Sequence, residues 1–115
     1  MSPREHIIDT MTVPDEKLGI VRYRGGNIRS ILIAFSRIGS MVIARSVISA
    51  RHHGDEAMEK IEELIMQKSQ EIGQPIIHQE EPWNDASEAM LKRNGYVKKG
   101  RDRRTKFRVY EKQYP

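Results

Sequence analysis

MVIARSVISARHHGDEAMEK, residues Met41 to Lys60, changes its period in mid-course. Up to Ala50 the residues are mostly β-branched or small and suit a strand. The run stops at Arg51-His52-His53-Gly54, and an amphipathic helix pattern begins at once. A strand that feeds through a glycine into a helix leaves unpaired backbone N–H groups and the positive end of the helix dipole at the junction. Both favour an anionic group there.

Outward from this junction the elements follow in order. Ala57, Met58, Ile61, Leu64, Ile65 and Ile72 fall near one helical face, with Glu59, Glu62, Glu63 and Lys68 mostly opposite. The pattern predicts a helix over 55–72, with acid in its first turn and Gly73 as its stop. Gln74 to Gln79 then reads as a short strand, reached by a crossover long enough to run parallel to the strand before the helix. Pro82-Trp83-Asn84 breaks it, with Trp83 placed to cover the core or stack on a ligand. Asp85 and Glu88 predict a capping box for a helix to Arg93, ended by Asn94-Gly95. Strands follow over 96–100 and 106–112 around a turn at Asp102-Arg103-Arg104, with Phe107, Val109 and in part Tyr114 alternating with charge. Upstream, 28–38 and 41–48 form a hairpin through Gly39-Ser40, and 19–23 a short strand ending at Gly25-Gly26-Asn27. Residues 1–18, with Pro3 and Pro14, read as an arm before a single domain over 19–115. The expected class is α+β: a mixed, mainly antiparallel sheet with one parallel β-α-β crossover.

Composition narrows the chemistry. The chain of 115 residues has 37% hydrophobic and 31% charged residues, which predicts a small core under a heavily solvated surface. It has no cysteine, so disulfides and thiolate zinc sites are excluded. No apolar run is long enough to cross a bilayer and residues 1–10 carry no signal-peptide pattern, so the expectation is a cytoplasmic protein without a membrane partner. The net charge of +4 is unevenly placed: from Val97 onward eight Lys or Arg face only Asp102 and Glu111, a local +6. Such a patch attracts phosphates; it also keeps an edge strand from pairing with neighbours.

The element order, with its glycines and asparagine, resembles the GCN5-related N-acetyltransferase (GNAT) family, whose fold is the acyl-CoA N-acyltransferase fold. The family signature is Arg or Gln, two residues, Gly, one residue, then Gly or Ala. Arg51-His52-His53-Gly54-Asp55-Glu56 matches its first two fixed positions and has Glu56 at the third. A second stretch, Asn84, Ser87, Leu91 and Gly95-Tyr96, keeps the spacing with Leu91 in place of the family's tyrosine. The resemblance covers roughly the last two-thirds of the chain; the family's amino-terminal strand and helix pair is missing or reduced to residues 1–27. It implies acetyl-CoA as acyl donor and an amine as acceptor. By the same resemblance, Val47, Ser49, Arg51, His52, His53, Gly54, Asp55, Asn84 and Ser87 are the cofactor-binding candidates, and a backbone N–H between Val47 and Ala50 would serve the oxyanion.

Transfer to an amine needs a proton acceptor near the ends of the two parallel strands. His78 is the first candidate, with Glu80 and Glu81 beside it. The plain alternative for His78 is a strand-end histidine bonded to the backbone. Adjacent His52 and His53 on a turn point apart, and no converging His spacing is present, so no metal site is expected. Two readings stand beside the enzyme: a binding-only adaptor that keeps the fold for contacts with a protein or with a second copy of itself, and a nucleic-acid-binding protein using Arg101, Arg103, Arg104 and Lys106. Phe107, Tyr110 and Tyr114 supply the interleaved aromatics of that last reading.

Overall fold

Runs rich in β-branched and other apolar residues build the first half of the molecule as three antiparallel strands, β1 (Glu16–Gly25), β2 (Ile28–Ile38) and β3 (Met41–Ser49). The computed structural model describes residues 13–26, 28–49, 55–82 and 84–115. The β2–β3 hairpin closes through Gly39-Ser40, with Gly39 at φ +61° as a tight turn requires. Asp15 fastens this turn to the start of β1, its carboxylate accepting from the Gly39 amide at 2.7 Å. Then come α1 (Asp55–Ile72), β4 (Ile76–Glu80), α2 (Asp85–Arg93), β5 (Val97–Arg101) and β6 (Arg108–Tyr114).

The sheet order is β1-β2-β3-β4-β6-β5, and its one parallel pair is β3 with β4. Both helices lie on the same face. Ile31, Ile33 and Phe35 of β2, Val42 and Ala44 of β3 and Tyr110 of β6 pack there against Met58, Ile61 and Ile65 of α1 and Met90 and Leu91 of α2. The opposite face holds only a small cluster around Ile43 and Ile77, and among the described residues no helix covers it. Across that face Arg45 donates to the Gln79 side-chain oxygen at 3.3 Å, and Gln79 donates to Glu111 at 2.8 Å. No helix is long and apolar enough to cross a membrane.

Several expected boundaries move, each for a local reason. β1 starts at Glu16, inside the expected arm, because Asp15 and Glu16 reach Arg37 and Gly39 across the sheet. β4 starts after Pro75, which has no N–H to offer a ladder. The cap of α2 is Asn84 rather than Asp85: its side chain accepts from the Ser87 amide at 2.8 Å. Tyr96 belongs to the helix end, not to β5. Its amide bonds to the Leu91 carbonyl and that of Gly95 to Lys92, the two bonds of a Schellman motif with Gly95 at φ +87°. Lys106 and Phe107 belong to the turn before β6, where the Lys106 amide bonds to the Asp102 carbonyl.

Candidate functional site

The parallel ladder runs from Val42–Ile76 to Arg45–Gln79 and stops, while β3 continues to Ser49. A cleft of about 410 Å³ opens at this point, at the carboxyl ends of the two parallel strands. Ser46 and Val47 form one wall and Glu80, Glu81 and Pro82 the other. Met58 of α1, Met90 and Leu91 of α2, and Phe107 add apolar surface. Carboxyl ends of adjacent parallel strands are where α/β sheets commonly hold ligands, because there the chain leaves the sheet and the backbone is released from pairing.

One side of the cleft is backed by a chain of buried polar groups. His78 is fully buried on the helix-facing side of β4. Its Nε2 lies 2.8 Å from Ser46 Oγ and 3.1 Å from a Glu80 carboxylate oxygen, and the Ser46 hydroxyl donates to that same oxygen. Its Nδ1 bonds to the Tyr96 hydroxyl, which lies 3.2 Å from that of Tyr114. One proton assignment satisfies every member. Nε2–H donates toward Glu80 and Ser46, Nδ1 accepts from Tyr96, and Tyr96 accepts from Tyr114. Burial pushes both phenols well above the ordinary tyrosine range, so they stay protonated donors. The tyrosines hold the imidazole tautomer, and the imidazole and Ser46 hold the Glu80 carboxylate.

Ser46 and Glu80 are therefore the members of this network that line the cleft, Glu80 bringing the carboxylate, and His78 stands behind them, fully buried. Glu81, also lining the cleft, is half-buried. Loss of solvation raises its carboxyl above the usual range, against the opposing pull of Arg45.

The other expected residues are distributed unevenly. Val47 lines the cleft and is 65% exposed; Ser49 ends β3. Arg51, His52, His53 and Gly54, together with Ala50 and Trp83, lie outside the described residues. Asp55 opens α1, but its carboxylate accepts from Asn94 at 3.1 Å and Arg93 at 3.2 Å, and these bonds hold its pKa down, Asn94 first. It joins the start of α1 to the end of α2. The Glu56 carboxylate lies against the β1–β2 turn, 3.0 Å from where a β-carbon on Gly26 would stand. Asn84 spends its side chain on the cap, and Ser87, whose amide it accepts, lines the cleft.

The carboxy-terminal hairpin presents its cations outward. Arg101, Arg103, Arg104 and Lys106 are exposed. Of the three aromatics expected there, Tyr110 and Tyr114 are buried in the core and Phe107, 42% exposed, sits at the cleft. The Tyr110 hydroxyl makes no well-formed hydrogen bond, yet it interacts with Glu88. It is the main cause holding that carboxyl down to about 2, with Lys92 next; burial first and then Glu88 push Tyr110 up to about 12. Arg108 ties β6 to the same helix through Glu88 and through Asp85 at 3.1 Å.

Ser46, Tyr96 and Tyr114 were not among the expected site residues. A hydroxyl at Ser46, in step with the inward Val42 and Ala44, was the available signal for the first. Tyr96 was marked only as the end of the second family stretch and Tyr114 only as an aromatic of the basic hairpin; nothing local joins either to His78. Among the described residues no three His, Asp or Glu side chains converge as a metal set. No protein-family model, curated protein or solved structure matches the chain.

Proposed function

We propose that this chain is an acyl-CoA-dependent N-acyltransferase-like domain, with the cleft between β3 and β4 as the place where acyl donor and amine meet. The observation that carries the reading is the early end of the one parallel ladder. Beyond Arg45–Gln79 the side of β3 that faces β4 has no strand partner among the described residues, and a carboxylate held by two neighbours stands opposite. An extended amide-bearing arm, such as the pantetheine of coenzyme A, suits a released strand edge. The sheet order, with antiparallel strands on both sides of a single parallel pair, supports the same reading.

Acetyl-CoA would supply an activated acyl group along Val47 to Ser49. An amine becomes nucleophilic only on losing a proton, and Glu80 is placed to receive it. His78 and Ser46 orient the carboxylate, and Tyr96 fixes the imidazole behind it. One observation favours a binding-only version. Leu91, at the position where the family has its tyrosine, lines the cleft and offers no hydroxyl to reprotonate a leaving thiolate.

Thermal shift and thiol release separate these outcomes. Acetyl-CoA at a hundred times its Kd should stabilise the fold by about 2.7 kcal/mol, seen as a rise in Tm, and Val47→Trp, a change at an exposed position that fills the cleft, should abolish the rise. An active enzyme would also release free thiol in the presence of amines, and Glu80→Gln should slow that release by about 10²- to 10⁴-fold. Stabilisation without thiol release means the binding-only version. No shift at millimolar acetyl-CoA overturns both.

A further inference from the structure

We infer that the β5–β6 hairpin is a docking surface for nucleic acid, recognised through its phosphate backbone. This does not depend on acyl transfer. Over nine residues the hairpin carries Lys98, Lys99, Arg101, Arg103 and Lys106, and among the described residues none of the five has a carboxylate within ion-pair distance. Of the cations elsewhere, Arg37, Lys60, Lys68, Lys92, Arg93, Arg108 and Lys112 are paired, whereas Lys17, Arg22 and Arg24 are exposed but spread along β1 rather than gathered at a turn.

The acid within the hairpin is built into its turn. Asp102 is buried, and its carboxylate accepts from the amides of Arg104 and Thr105 at 2.8 and 2.9 Å, while its own amide and carbonyl bond to Phe107 and Lys106. Lys106 is held at φ +66°, the one left-handed non-glycine among the described residues. A rigid turn thus holds its cations outward at little entropic cost on binding.

The geometry selects among polyanions. β5 alone, five residues at about 3.3 Å each, extends over about 16 Å, close to the rise of five nucleotides at about 3.4 Å each. An acidic peptide adding as a strand would need a regular edge, but β5 is interrupted by a bulge between Lys98 and Gly100, and Gly100 sits at φ +144°. An anionic membrane surface would favour an apolar wedge at the tip, where Arg103, Arg104, Thr105 and Lys106 offer none. Phe107, exposed beside the tip, gives one face on which a base can stack.

Fluorescence anisotropy with a labelled 20-nucleotide single strand tests this on the full chain. Binding is expected at low salt, with a log–log salt slope between about −2 and −4. Arg103→Glu with Lys106→Glu should weaken it at least tenfold without changing Tm. The same charge change on β1, Lys17→Glu with Arg22→Glu, should leave affinity within about twofold. Equal loss in both variants would reduce the effect to net charge and overturn the proposal. So would absence of binding at low salt, or tighter binding to polyglutamate or to anionic vesicles than to the oligonucleotide.

Discussion

Glu81 stands at the lip of the cleft with its carboxyl pushed up from 4.5 by partial burial, and the consequence can be measured. Between pH 4.5 and its raised folded value the native state binds more protons than the unfolded one, so this residue's contribution to stability falls as pH rises through that window. Glu81→Gln should raise Tm at pH 7, where the wild-type group is charged, and the advantage should vanish below pH 4. A gain that persists at pH 4, or none at pH 7, would mean that solvation is not the dominant influence on this carboxyl. Glu81 and its neighbour Glu80 were legible in the sequence as the acids following a short strand. Their different roles were not, because Glu80 acquires its partners from β3 and from His78, while Glu81, beyond the end of β4, lines the cleft half-buried and within the field of Arg45.

α2 shows how a helix boundary is decided by side-chain chemistry. Both Asn84 and Asp85 are good capping residues, and Glu88 three places after Asp85 suggests the second; the structure gives the cap to Asn84. Replacing Asn84 by alanine should cost about 1 kcal/mol in chemical denaturation, whereas Asp85→Ala should stay within about 0.5 kcal/mol. A larger loss at Asp85 would reverse the assignment. α1, by contrast, matches its expected bounds from Asp55 to Ile72, because eighteen residues of steady period carry more information than nine. The hairpin of β2 and β3 was equally legible from Gly39-Ser40. β5 and β6 slipped by one or two residues, since the helix end took Tyr96 and the turn took Lys106 and Phe107.

Across the whole molecule, stability is concentrated in the centre of the sheet. β2, β3 and β4 place fully buried side chains against α1, whereas β5 is a short, bulged edge strand of mostly exposed residues. Hydrogen exchange should therefore show amides of 31–35, 42–44 and 76–78 opening only with global unfolding, and those of 97–101 exchanging orders of magnitude faster by local opening. Uniform protection across the sheet would contradict this. The bulges in β1 and β5, the two outer strands, also work against completing a larger sheet by edge pairing with a second copy.

By itself the sequence determined the succession of strands and helices, the parallel sense of the crossover and the basic carboxy-terminal hairpin. Each of these rests on local period, turn residues or connection length, which act over neighbouring positions. Tertiary structure alone decided that Ser46, His78, Glu80, Tyr96 and Tyr114 form one hydrogen-bonded chain, that His78 is sealed behind Glu80, and that Tyr110 and Tyr114 leave the surface while Phe107 remains on it. Those outcomes depend on strand register and sheet order. A one-residue shift in strand register would turn Ser46, His78, Glu80 and Tyr114 to the other face of the sheet.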